Sequence, residues 1–170
     1  MLITQKLGNL QSFQVNNRSI DLLPLEWYET SKRIMTKRTN GGQELTTKFL
    51  QADPQLGEGD VLFQNEHYII ALEILPCDVI VTKPVSRYQV ACICYEIGNK
   101  HLPLFVDGDD LLVPFDGPLF RLFNAGGYAP LRDKRKLLHP IKTTVSPHSH
   151  NGSKSLFTRI MKLTNPAAND

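Results

Sequence analysis

Apolar and polar residues alternate through most of the first half of the chain, the pattern of strands with one buried face. Residues 2–5, 21–28, 34–39, 44–49, 61–63 and 68–75 fit this description. Asn40-Gly41-Gly42 is a strong tight-turn signal, so residues 34–50 are expected to form a hairpin. A second pair is expected around the polar turn Gln64-Asn65-Glu66-His67. Beyond Pro76 the pattern changes. Strand-like stretches at 79–82, 102–106, 111–113 and 137–145 are interrupted by helical spacing at 86–97, with Ser86 as N-cap, and at 118–125. The expected fold is α+β: an all-β domain over 1–75, a split βαβ, ferredoxin-like domain over 76–145, and a flexible tail over 146–170.

Composition narrows the classes of function. With 170 residues, of which 41% are hydrophobic, the chain can bury one fair core or two small ones. A formal net charge of +2, with no dense Lys/Arg stripe among aromatics, gives no reason to expect nucleic acid as a partner. No apolar run reaches membrane-spanning length, and residues 1–6 contain no long apolar stretch. A soluble cytoplasmic protein that binds no membrane is the expectation. Phosphate loops, serine-nucleophile elbows and His-Glu-x-x-His zinc helices are all missing from the sequence, so no enzyme class is indicated.

The candidate chemistry sits at the end of the first helix. Val90, Ala91, Ile93, Cys94 and Ile97 share one broad helical face, and Gly98-Asn99 has the composition of a left-handed C-cap. His101 is then expected where helix hands over to strand, near carbonyls whose partial negative charge favours a cation. Cys77, Cys92 and Cys94 are expected to be small structural hydrophobes, because Cys-x-Cys on a helix throws its thiols to different faces. His67 reads as a solvated turn residue, His139 as a weaker ligand candidate, and Asp107-Gly-Asp-Asp110 as a hairpin turn lacking calcium-loop spacing. His148 and His150 lie two apart in a stretch that Pro147 biases towards extended chain, where both can face one side. Residues 154–163 have helical spacing with a basic opposite side.

Gly98-Asn99-Lys100-His101, ending an apolar helix and leading into a Pro-containing strand, resembles the Gly-Asn-Arg-His signature of the UreE urease accessory proteins, a nickel metallochaperone family, with Lys100 where arginine is usual. Leu25-Glu26-Trp27-Tyr28-Glu29-Thr30, Gly59-Asp60-Val61-Leu62 and Ile93-Cys-Tyr-Glu-Ile97 extend the likeness over roughly the first 140 residues. The resemblance implies a homodimer that holds nickel (Ni2+) through His101 of both subunits, with a tail histidine, His148 or His150, as auxiliary ligand. Zn2+ or Cu2+ are possible in its place, since imidazole suits all three ions. It further implies delivery to a urease accessory GTPase and the urease apoprotein, and an N-terminal domain that contacts partner proteins. An incomplete, open site is suited to transfer, whereas a closed four-ligand cage holds its ion as structure. Protons compete for imidazole, so metal binding should weaken in mildly acidic solution. Two other readings stand beside this one: a protein-binding adaptor whose metal is incidental, and a metal-dependent hydrolase.

Overall fold

The alternating first half folds into two sheets that close on one core. Residues 1–50 and 54–141 are described by the computed structural model. Strands β1 (Leu2–Ile3), β5 (Glu44–Lys48) and β4 (Ile34–Arg38) form one sheet in that order. The other sheet runs β2 (Gly8–Asn9), β6 (Asp60–Gln64), β7 (Tyr68–Ile74), β3 (Ser19–Leu25). Inward-facing Leu23, Leu25, Leu45, Leu62, Ile70, Leu72 and Ile74 make the core between them. Each fully buried side chain of this kind contributes about 1.5–3 kcal/mol, which is what holds two short-stranded sheets together. The expected hairpin over 34–50 is present: β4 and β5 pair antiparallel across the Asn40-Gly41-Gly42 turn, with Gly42 at φ +87. β6 and β7 pair antiparallel across the 65–67 turn, where the Asn65 side chain accepts from the His67 and Tyr68 amides at 2.8 Å each.

One expected strand stops early. β3 ends at Leu25, and Trp27–Glu29 form a 3-10 helix instead of continuing to residue 28. The cause is Glu29, whose carboxylate accepts the Glu26 amide at 3.2 Å and is gripped by Lys37 at 2.6 Å and Lys32 at 3.1 Å. Burial works against its charge, but the bonds from Lys37, the Glu26 amide and Lys32 outweigh it and hold Glu29 below its ordinary value of 4.5. The turn also lifts Trp27 out of the strand and aims it at the second half of the chain.

In that half the order is β8 (Cys77–Thr82), α1 (Arg87–Asn99), β9 (Phe105–Asp107), β10 (Asp110–Pro114), α2 (Gly117–Ala125), β11 (Leu131–Arg135). The sheet runs β11-β8-β10-β9, and every neighbouring pair is antiparallel. Val79, Ile80 and Val81 of β8 are all buried, so both faces of this sheet are covered. Ile80, Leu111 and Val113 meet Ile93, Ile97, Leu119 and Phe123 from the helices. Val79, Val81, Phe105 and Leu112 meet Leu137 and Trp27. Trp27 packs against both this group and the core of the first half, with its ring edge-on to Phe105 at 5.7 Å. Lys136 adds an ion pair to Glu58 at 2.9 Å across the same seam.

The last strand is displaced from its expected position at 137–145. It is β11, Leu131–Arg135, an exposed and charged edge strand, while Leu137 dips into the core and residues 142–145 lie outside the described residues. Edge strands need only one neighbour and tolerate charge, so their hydrophobic signal is weak. The mixed α+β character, mostly sheet with two helices, agrees with the sequence reading. Among the described residues no helix is long and apolar enough to cross a membrane.

Candidate metal centre

Ser86 starts α1 with extended backbone, its hydroxyl accepting the Gln89 amide at 3.2 Å. Ile93 and Ile97 anchor the helix to the sheet, and the position of Ile97 decides where the helix can stop. Lys100 is the C-cap at φ −87, and His101 follows at φ +54 in the left-handed region. The His101 amide donates to Gly98 O at 3.0 Å and the Leu102 amide to Ile97 O at 3.3 Å. That pair of bonds is the Schellman closure, with His101 at its left-handed position and Leu102 packing into the same cluster as Ile97. The expected cap on Gly98-Asn99 is therefore corrected. Both residues are still helical, and the strained conformation falls on the histidine itself.

The consequence for the imidazole is a fixed point of departure. Two backbone bonds define the residue that carries it, the side chain is exposed, and the nearby carbonyls of the last turn favour positive charge. A left-handed non-glycine residue costs about 1–2 kcal/mol relative to ordinary helical geometry. Gly98, which could take that conformation without penalty, sits inside the helix, and a Cβ built on it meets nothing within 4 Å. Glycine there opens the surface of α1 next to His101.

That surface is apolar. Tyr88, Ala91, Tyr95 and Gly98 fall on one exposed stripe, Tyr88 78% and Tyr95 69% accessible, on the side of α1 away from Ile93 and Ile97. The sequence reading found α1 apolar on more than one face but did not single out the two tyrosines; their three- and four-residue spacing was the available signal.

The chain also passes close to His101 on its way out. The Val106 amide donates to His139 O at 3.1 Å and the Ile141 amide to Leu104 O at 2.8 Å, with Phe105 and Pro140 forming an antiparallel bridge. Residues 139–141 thus run antiparallel along β9, and at Ile141 the chain heads back towards Leu102 and His101. His148 and His150 lie outside the described residues. They stand seven and nine positions beyond Ile141, a reach of up to roughly 23–32 Å if extended.

The other chemistry-bearing residues serve structure. Cys94 packs against the helix core, and burial pushes its thiol up. Cys77 is raised by burial and by the charges of Glu26 and Asp78. Cys92 neighbours Tyr88 and Tyr128, on a different face of the helix from Cys94. All three are free thiols. His67 is exposed at its turn, and His139 contributes its carbonyl to β9. Asp107 and Asp110 flank a two-residue turn with Gly108 at φ +59, and both carboxylates accept from Arg135 at 3.3 and 3.1 Å. Among the described residues, no three or more His, Cys, Asp or Glu side chains converge as a metal-binding group.

Comparison with known proteins adds an independent line. Residues 3–75 match the family described as UreE urease accessory protein, N-terminal domain. The urease accessory protein UreE of Flavobacterium johnsoniae is 42% identical over 163 residues, covering 96% of this chain and 99% of the relative. Its counterpart in Acetivibrio thermocellus is 35% identical over 153 residues, covering 90% of this chain and 99% of the relative. That of Haemophilus influenzae is 39% identical over 145 residues, 83% of this chain and 78% of the relative.

Proposed function

This chain belongs to the UreE family of urease accessory proteins, and from that premise we propose that it is a nickel metallochaperone, a cytoplasmic homodimer that carries Ni2+ to a urease accessory GTPase for assembly of the urease nickel centre. It is not an enzyme in this reading; nickel is its cargo. The observation that carries the proposal is His101, presented on a strained, hydrogen-bonded turn at the end of α1.

One imidazole cannot hold a divalent ion against water, so the site needs a second source of ligands. A second copy is supported by the exposed Tyr88-Ala91-Tyr95-Gly98 stripe, whose burial on a two-fold axis would bring two His101 side chains together. His148 or His150 is supported as the auxiliary ligand by the path of residues 139–141 along β9. The donor set is imidazole throughout, which suits Ni2+ and also Zn2+ and Cu2+, so choice of ion follows from geometry and supply. Release proceeds by ligand exchange: donor groups of the GTPase replace the tail histidine first and the paired imidazoles afterwards. The antiparallel order β11-β8-β10-β9 supports a ferredoxin-like reading of residues 76–145, and the family match ending at residue 75 supports a boundary near Pro76.

Nickel titration by calorimetry, with molecular mass recorded alongside, tests the proposal. One tight ion per dimer is expected, abolished in His101→Ala and weakened in the double variant His148→Ala, His150→Ala. Undiminished binding by His101→Ala would overturn it.

A further inference from the structure

The turn that closes the β4–β5 hairpin is tied to the other sheet. Asn40 and Gly41 are its central pair, both exposed, with the Gly42 amide donating to Thr39 O at 2.9 Å and the Thr39 amide to Gln43 O at 2.9 Å. Two further bonds reach across to β3. The Asn40 amide donates to Leu22 O at 2.8 Å, and the Gly41 amide donates to Asp21 Oδ1 at 2.8 Å. The Asp21 carboxylate lies so close that a Cβ built on Gly41 would stand 2.7 Å from its Oδ2 and 3.0 Å from its Cγ, so only glycine fits there. Among the described residues no lysine or arginine forms an ion pair with Asp21, and its charge is left to act on the turn.

An Asn-Gly pair carries a reaction of its own. The Gly41 nitrogen, on losing its proton, can attack Cγ of the Asn40 side chain. A new bond from that nitrogen to Cγ closes a five-membered imide while the bond from Cγ to Nδ2 breaks, and ammonia leaves carrying the proton. Water then adds to either imide carbonyl and leaves aspartate or isoaspartate at position 40; nothing is oxidised or reduced. Glycine puts no Cβ in the way of the attack, and the exposed turn admits water. The arrangement around Asp21 opposes the first step. The proton that must leave is the one Asp21 holds, and the anion left on nitrogen would stand beside a like charge.

We propose that Asn40 is a site of spontaneous deamidation and that Asp21 sets its rate, keeping the Asn40-Gly41 junction intact while the fold holds its carboxylate against the Gly41 amide. The site is independent of the nickel reading. Conversion acts on the tie between the sheets. It places a second carboxylate beside Asp21, and isoaspartate also lengthens the main chain inside a turn closed by the Thr39, Gly42 and Gln43 bonds. The converted chain is therefore less stable than the original.

The test incubates the full chain in mildly alkaline buffer, folded and in denaturant, and follows residue 40 by tryptic mapping with mass spectrometry. Cleavage after Arg38 and Lys48 releases residues 39–48 as one peptide, and Asn151-Gly152, the other Asn-Gly pair of the chain, serves as the reference in denaturant. Asn40 is expected to convert as fast as Asn151 in denaturant and about tenfold or more slowly in the folded chain. Asp21→Ala should restore most of that loss in the folded chain, and Asp21→Asn, which keeps an acceptor without the charge, should fall between. Neither should change the rate in denaturant. Thermal unfolding of both variants fixes the unfolded fraction at the incubation temperature, and conversion beyond what that fraction supplies is the expected signature. Equal rates for Asn40 in folded and denatured wild type would overturn the proposal. So would no conversion of Asn40 in denaturant, Asp21 variants no faster than their unfolded fraction allows, or slower conversion in Asp21→Ala, which would make the carboxylate a base for the reaction.

Discussion

α1 and α2 stop in the same way. At the end of α2, Gly126 is the C-cap and Gly127 follows at φ +74; the Gly127 amide donates to Asn124 O at 3.1 Å and the Tyr128 amide to Phe123 O at 3.0 Å. At the end of α1, Lys100 and His101 occupy the equivalent places, with the equivalent bonds to Gly98 O and Ile97 O. Each closure is sealed by an apolar pair, Phe123 with Tyr128 and Ile97 with Leu102. The left-handed position is glycine in one and histidine in the other. In α2 the residue that adopts φ > 0 without penalty is present; in α1 a histidine takes that position at a cost in backbone strain. α1 contains a glycine three residues earlier, at a helical position that does not need one, so its ending is not the most stable these residue types could make.

The largest effects should come from the apolar anchors that fix both endings. Phe123→Ala is expected to cost about 3–5 kcal/mol and Ile97→Ala about 2–5 kcal/mol in denaturant unfolding, since each empties the core under its helix. Only Ile97→Ala should also lower nickel affinity, because only that closure carries His101. Next comes Gly127→Val. A Cβ there meets nothing within 4 Å, so the expected loss of about 1–2 kcal/mol is backbone strain without a steric clash. A loss near zero would remove the basis for treating the two endings as one geometry.

A titrating group supplies a contrast with this uncharged strain. Glu29 is held below its ordinary value of 4.5, so the stability it contributes is present above that value and is lost as pH falls through its lowered folded value. Glu29→Gln should therefore cost on the order of 1 kcal/mol at neutral pH. The gap to wild type should close in acid, whereas the difference between glycine and a side chain at Gly127 should persist through the same range. The smallest effect is Gly98→Ala, expected to stabilise the helix by about 0.5–1 kcal/mol in the unfolding of the separate chain. If the Tyr88-Ala91-Tyr95-Gly98 stripe is the dimer contact, the added methyl should raise the dimer dissociation constant, measurable by sedimentation.

Local signals were the legible ones. Asn40-Gly41-Gly42 announces its hairpin because turn chemistry acts over a few residues, and Ser86 announces α1 because a hydroxyl before a helical pattern satisfies orphan amides. His101 could be picked out from its neighbours in the sequence. Its backbone conformation could not, because Gly98-Asn99 has the better cap composition and the true stop depends on Ile97 and Leu102 reaching the same core. The wedge made by Trp27 was likewise hidden: its strand is ended by Glu29 finding Lys37 eight residues away. β11 escaped because Leu131–Arg135 is charged and Leu137-Leu138 looked more like a strand.

The most direct measurement is a paired one on His101→Gly: unfolding free energy and nickel titration on the same preparation. Glycine at the left-handed position should raise stability by about 1 kcal/mol while tight nickel binding disappears. A variant that is less stable than wild type, or that still binds nickel as tightly, would contradict the view that α1 ends on a histidine for the sake of its imidazole.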